Sequence, residues 1–238
     1  MSHAIALQQS YSDEAAHYDE KRFSGPAGQH LAETDRRILR TLVGLSGARN
    51  IIDVPVGTGR VLDYLKGMDV DVTGVDLTEE MLDCARRVAD PERHTLMQGD
   101  ASNLPFPDGS FDALISLRFF HLFPTGQRAA FTREFMRLVR PGGHFIVSYT
   151  NGWYAGGLNW LKKAIGLQTV HFESFGEVQQ LFPGCRVVRC FGNFLPRQRT
   201  VERVPGIGPL CRAATERFPL NLFCWEKYYL LQKPEQGA

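Results

Sequence analysis

The chain has 238 residues, of which 43 % are apolar and 22 % charged, with a formal net charge of +1. That length allows one large or two small domains without disulfide or metal staples, and the composition excludes disordered, collagen-like and coiled-coil chains. Near-neutrality argues against a whole-protein electrostatic grip on nucleic acid, yet it is a cancellation: residues 1–150 hold 16 Lys/Arg against 20 Asp/Glu, and residues 151–238 hold 11 against 6.

In chain order, the first two dozen residues read as a lid-like segment. A helical period then runs from Ala27 to Leu45, carried by Leu31, Ile38, Leu39, Leu42 and Val43. Between Asn50 and Tyr149, β-branched apolar runs alternate with helical stretches. The runs are Ile51–Val54, Val70–Val75, Thr95–Met97, Ala113–Leu117 and Phe145–Ser148, and the helices Val61–Lys66, Thr78–Ala89 and Thr125–Val139. This alternation predicts a parallel sheet wrapped by helices. Acidic residues in the first turn suit the helix from Thr78, and Pro141-Gly142-Gly143 is expected to stop the helix that carries Arg137 and Arg140. Further on, the pattern predicts a helix over Trp153–Leu167, a short helix over Phe175–Phe182 and a strand over Arg186–Phe191. A Pro/Arg-rich excursion over Leu195–Pro219 and a last strand over Leu222–Leu231 complete the chain.

The five cysteines, Cys84, Cys185, Cys190, Cys211 and Cys224, form no C-x-x-C pair and have no histidine at zinc spacing. They read as reduced thiols, and no metal site is expected. An odd step separates Cys185 from Cys190, which predicts opposite faces of a strand. No apolar run reaches the ~18 residues of a spanning helix, and the first ten residues lack the pattern of a leader, so a cytoplasmic protein is expected, at most peripheral to a membrane.

The chemistry is concentrated at three strand ends. Asp53-Val54-Pro55-Val56-Gly57-Thr58-Gly59-Arg60 passes from an apolar run into a helix, where glycines allow a tight turn and helix N–H groups face outward. Asp76 ends the second run, where a carboxylate can accept both hydrogen bonds of a ribose diol; a cap on the helix at Thr78 is the lesser alternative and could coexist with it. Asp100 ends the third, placed either to accept an adenine amino group or to cap the turn into Ser102-Asn103. Leu62 stands where a dinucleotide fingerprint has its third glycine, so a pyrophosphate fits poorly. The three sites describe a pocket for a nucleoside without a diphosphate.

These strings resemble the ordered motifs of the class I S-adenosylmethionine-dependent methyltransferases. Asp53-x-x-x-Gly57-x-Gly59 resembles the methionine-side glycine loop, Gly74-Val75-Asp76-Leu77-Thr78-x-x-Met81-Leu82 the ribose-binding strand end, and Gly99-Asp100-Ala101 the adenine contact. Leu104-Pro105-Phe106-x-x-Gly109-Ser110-Phe111-Asp112 and Leu138-Val139-Arg140-Pro141-Gly142-Gly143 resemble the segments around the fourth and fifth strands. Tyr11-x-x-x-Ala15-x-x-Tyr18-Asp19 is similar to the opening of the ubiquinone/menaquinone-type small-molecule members. One departure is Pro55, which stands where the family has its first loop glycine and removes a backbone N–H.

The resemblance implies an α/β, Rossmann-like fold: a seven-stranded, mostly parallel sheet with an antiparallel last strand and helices on both faces. It implies an N-terminal lid and packing helix over 1–45 and a methyltransferase domain over 46–238, with 151–172 and 194–220 as substrate-capping insertions. S-adenosylmethionine is the implied cofactor, held by Asp53, Val56, Gly57, Gly59, Asp76, Leu77, Met81, Asp100, Ala101, Leu117 and Tyr18. Asp53 could instead anchor the N–H groups of the glycine loop.

The acceptor side reads less clearly, because methyl transfer mainly needs alignment, dryness and removal of a proton. His121 is the candidate general base, or else packs beside Phe120 and Phe123. Arg118 could hold an acidic substrate group or the methionine carboxylate, or reach solvent. Trp153 and Tyr154, with Trp160, could roof an apolar substrate pocket, lie at a membrane surface or pack in the core. The fourth strand end lacks both an Asn/Asp-Pro-Pro-aromatic segment and a nucleophilic cysteine, which argues against DNA. The expected acceptor is therefore a small apolar or amphiphilic metabolite. An RNA substrate held by Arg197, Arg199, Arg203, Arg212 and Arg217, or a non-catalytic relative of the fold, are the alternatives.

Overall fold

A computed structural model describes residues 24–150, 175–193, 224 and 226–235. Helix α1 (Gly25–Ser46) is followed by β1 (Asn50–Asp53), α2 (Arg60–Leu65), β2 (Asp71–Asp76), α3 (Glu79–Arg86), β3 (His94–Gln98) and β4 (Phe111–Ser116). A 3-10 turn (Phe120–Leu122) leads to α4 (Thr125–Leu138), β5 (Val139–Thr150), α5 (Phe175–Leu181), β6 (Arg186–Asn193) and β7 (Glu226–Gln232). The expected lid before residue 24, with Tyr18, lies outside the described residues. So do the 153–167 helix with Trp153 and Tyr154, the 195–219 excursion and Cys211.

The sheet has seven strands in the order β3-β2-β1-β4-β5-β7-β6. Every neighbouring pair from β3 to β5 is parallel, and β7 runs antiparallel to both β5 and β6. The seven-stranded, mostly parallel expectation holds. Strand order reverses between β1 and β4, which opens a crevice at their carboxyl ends, the usual ligand position of such sheets.

Alternation along each strand feeds two cores. Ile51, Ala113, Ile115 and Ile146 pack under α1, α2 and α3, where Ile38, Leu39, Leu42, Leu62, Leu65, Leu82 and Ala85 are buried. Their strand neighbours Ile52, Leu114, Phe145 and Val147 face the opposite side with Phe135, Leu138, Val178 and Phe182. Helices thus cover both faces, and the apolar period read in residues 27–45 is the stripe with which α1 joins the first core.

Two local expectations are corrected. Pro141-Gly142-Gly143 lies inside β5 rather than after a helix: α4 ends at Leu138, and Arg140 is already on the strand, its Nε bonded to Asp112 at 2.8 Å. Gly142 accommodates the irregular strand start with a φ of 73°. Cys185 and Cys190 pack against the same core. Cys185 precedes β6, so the two are not on one strand, and a register shift between Val187 and Arg189 places one extra residue between them.

Candidate functional site

The loop from β1 to α2 leaves the sheet through a cis Val54–Pro55 peptide. Its course is fixed by three bonds: Val56 N donates to Val75 O at 2.8 Å, Gly57 N to Asp76 Oδ2 at 2.9 Å, and Gly59 N to Val56 O at 3.0 Å. Beside it opens a cavity of about 480 Å³, walled by the carboxyl ends of β1, β2 and β4, the turn after β3 and the start of α4.

The two loop glycines do different work. Gly57, at φ 54°, lines the cavity, and a Cβ added there would meet nothing within 4 Å. At Gly59 the φ is 85°, and a Cβ would lie 2.6 Å from Val88 Cγ2 and 2.9 Å from Ala85 Cα. Gly59 is not among the residues that line this cavity, and its lack of a side chain lets α2 begin hard against α3.

Asp76 lines the cavity at 7 % exposure. Its Oδ1 accepts from Thr78 N at 3.1 Å and Thr78 Oγ1 at 3.2 Å, so the helix-capping role and a ligand-facing position coexist. Burial lifts its carboxyl above the ordinary value, and the bonds from Thr78 and Gly57 draw it back. Asp100 behaves similarly: Oδ1 caps the turn by accepting from Ser102 N and Oγ, both at 2.8 Å, while the residue lines the cavity. Val56, Leu77, Met81, Ala101 and Leu117 supply apolar wall around these carboxylates.

Asp53 is elsewhere. It is 0 % exposed, does not line the cavity, and neither carboxylate oxygen has a hydrogen-bond partner among the described residues. Burial, and then the neighbouring Asp76, raise its carboxyl well above the ordinary range. The anchoring role is corrected, because the Gly57 amide is held by Asp76, from the next strand, rather than by Asp53.

His121 is not among the residues that line this cavity. The turn Phe120–Leu122 spaces side chains about a third of a circle apart, so residues three apart share a face. Phe119 and Leu122 line the cavity, and His121, between them in sequence, does not. Phe120 is fully buried against Phe135, Tyr149 and Phe182.

Arg118 lines the cavity with φ 54°, a left-handed conformation that costs a non-glycine residue on the order of 1 kcal/mol. A buried polar cluster holds it there. Arg118 N donates to Ser148 Oγ at 2.9 Å, Nε to Glu226 Oε2 at 3.1 Å, and Nη2 to Asp35 Oδ2 at 2.6 Å and Glu226 Oε2 at 2.7 Å. Asp35, on α1 and 0 % exposed, also accepts from Tyr228 Oη at 2.6 Å and Asn193 Nδ2 at 2.9 Å, and lies 3.7 Å from Arg60 Nη2. Arg60 in turn bonds the Tyr64 hydroxyl. Arg118 therefore neither reaches out to solvent nor stands as an open clamp for an acid: two carboxylates already hold its guanidinium.

Sequence reasoning missed Asp35 and the aromatic wall made by Phe119, Phe123 and Phe131 with Gln127 and Ala130. Asp35 was detectable in principle, since it stands four residues after Leu31 on an otherwise apolar helical face. Phe119 touches Phe123 and Phe131 at centroid distances of 4.9 and 4.8 Å across the join of turn and helix, a relation that no local periodicity encodes.

The wall residues fit the nucleoside expected from the resemblance: an open glycine backbone at Gly57, a carboxylate at Asp76, and apolar surface from Leu77, Ala101 and Leu117. The chain is similar to several known proteins. A family model described as a methyltransferase domain matches residues 52–147. A fatty-acid O-methyltransferase of Mycolicibacterium smegmatis is 32 % identical over 142 residues, covering 60 % of this chain and 47 % of that protein. A demethylmenaquinone methyltransferase of Tropheryma whipplei is 30 % identical over 112 residues, covering 47 % of this chain and 46 % of its own length. The chain thus matches a little under half the length of these curated relatives. Among solved structures, magnesium protoporphyrin IX methyltransferase from Synechocystis, with bound S-adenosylhomocysteine, superposes with a TM-score of 0.68 at 16 % identity, covering 98 % of this chain and 100 % of that one. At that identity the likeness concerns the fold.

Proposed function

We propose, from the premise that residues 52–147 are a class I S-adenosylmethionine-dependent methyltransferase domain, that this chain methylates a small apolar or amphiphilic metabolite. The observation that carries the proposal is one continuous cavity. It joins the Gly57 and Asp76 loop to a wall made by Leu117, Phe119, Leu122, Phe123 and Phe131.

S-adenosylmethionine, when bound, supplies a methyl group activated by a sulfonium. In this reading the open backbone at Gly57 lies along the donor, Asp76 accepts from its ribose, and Asp100 faces its base. Leu77, Ala101, Met81 and Val56 close the apolar sides. The phenyl wall excludes water and aligns an apolar acceptor, which is most of what an in-line displacement asks of a protein. His121 and Asp53 have no part in it, since neither lines the cavity.

The relatives support an acceptor of this kind, being named for fatty-acid and demethylmenaquinone substrates. A cytoplasmic setting belongs to the proposal, and the free thiols of Cys185 and Cys190 suit a reducing compartment. The test is to incubate the full chain with methyl-labelled S-adenosylmethionine and fractionated cell extract. Label in an organic-extractable small molecule is expected; label confined to RNA, or no labelled product despite donor binding, would overturn the reading.

A further inference from the structure

Arg118 and Arg60 both line the cavity, and an apolar pocket with two guanidinium groups looks at first like a receptacle for a carboxylate. The charge balance decides otherwise. Asp35 is buried against both arginines and Glu226 against Arg118, so among the described residues the cluster carries two positive and two negative groups. Burial lifts the Glu226 carboxyl above its ordinary value and the Arg118 guanidinium draws it back, Nε and Nη2 both donating to the one oxygen Oε2. A third carboxylate entering this site would leave water without gaining an uncompensated cation, and would lie close to two existing anions.

The geometry still leaves donor capacity. Nε and Nη2 of Arg118 are committed to Glu226, Asp35 and Tyr228, whereas Nη1 has no hydrogen-bond partner among the described residues. The guanidinium is fixed in place by those bonds and by the Ser148 bond to its backbone, so it offers a directed donor at no further cost of ordering. Arg118 lies between Leu117 and Phe119 in sequence, and all three residues line the cavity.

We infer that Arg118 Nη1 is a specificity-determining donor for an uncharged acceptor oxygen, so that the acceptor is an apolar molecule carrying a hydroxyl, phenol or carbonyl rather than a carboxylate. This rests on the methyltransferase reading and narrows its substrate class. It sets this chain apart from the fatty-acid relative, whose named substrate is an acid.

The experiment is a competition of matched probes for the full chain saturated with S-adenosylhomocysteine: dodecane, dodecan-1-ol, 4-octylphenol and dodecanoate, read by calorimetry at pH 7.5. The alcohol and the phenol are expected to bind at least about tenfold more tightly than the carboxylate. In Arg118→Gln the advantage of the alcohol over dodecane should fall about tenfold, with affinity for S-adenosylhomocysteine unchanged. Glu226→Gln gives the cluster one net positive charge and should shift the alcohol-to-carboxylate preference about tenfold toward the carboxylate, which a merely structural role would not do. Thermal melts establish that both variants are folded.

Equal or tighter binding of dodecanoate to the unaltered chain would overturn the inference, as would failure of both oxygen probes to bind. A loss of S-adenosylhomocysteine affinity in Arg118→Gln would also overturn it, by assigning Nη1 to the donor. Failure of the underlying reading looks different: the unaltered chain would then not bind S-adenosylhomocysteine at all.

Discussion

Asp76 Oδ2 accepts the backbone N–H of Gly57 at 2.9 Å, so the end of β2 holds the loop that follows β1. The same carboxylate, through Oδ1, caps α3 at Thr78. One side chain therefore fixes two edges of the cavity before any ligand arrives, and a pre-ordered site spends little free energy on ordering at binding.

Removing that carboxylate should have two separable effects. In Asp76→Ala, the Gly57 and Thr78 amides lose their partner, and stability should fall by about 1–3 kcal/mol. Affinity for S-adenosylhomocysteine should fall by more than tenfold because the ribose acceptor is gone. Urea denaturation reads the first and calorimetric titration the second.

The loop glycines should divide along the same line. Gly59→Ala forces a Cβ to within 3 Å of Ala85 Cα at a positive φ, and should cost about 3 kcal/mol of stability. Gly57→Ala meets no atom within 4 Å, so its stability cost should be only the backbone strain, about 1 kcal/mol. Its methyl group projects from a cavity-lining residue, and donor affinity should drop. Denaturant midpoints and binding isotherms on the two variants check the contrast.

Asp53 makes stability depend on pH in a definite direction. Burial and Asp76 raise its carboxyl in the folded state, so the folded chain holds this proton where the unfolded chain has released it. Its contribution is then most favourable at and below the ordinary carboxylate range and is lost as pH rises toward the raised value. Asp53→Asn should raise the melting temperature at pH 7–8 and flatten the decline above about pH 4. Melting curves across that range measure it, and an unchanged slope would contradict the assignment.

His121 should be dispensable for chemistry. His121→Gln is expected to keep the pH dependence of methyl transfer and to change turnover by less than about threefold, since the side chain lies outside the cavity wall. A lost limb in the pH–rate profile would show otherwise.

The strands and helices around Asp53, Asp76 and Asp100 were legible because each rests on a local signal: a β-branched run, a helical period, a glycine turn. Which side of the turn a residue occupies was not. Gly57 and Gly59 look equivalent in the sequence, and only the packing of α2 against α3 separates an open backbone from a packing contact. His121 and Phe119 both follow β4, and the phase of a single 3-10 turn decides which meets the cavity. Arg118 is harder still, since its partners Asp35 and Glu226 stand 83 and 108 residues away. Only the sheet order, which brings β7 beside β5 and α1 across them, makes that cluster.

The central claim is that the cavity beside Gly57 and Asp76 is a methyl-donor site, and calorimetric titration of the full chain with S-adenosylhomocysteine tests it most directly. The account predicts saturable binding at one site per chain, weakened more than tenfold in Asp76→Ala, with no heat from NADH under the same conditions. No binding of S-adenosylhomocysteine, or binding of NADH that displaces it, would contradict the account.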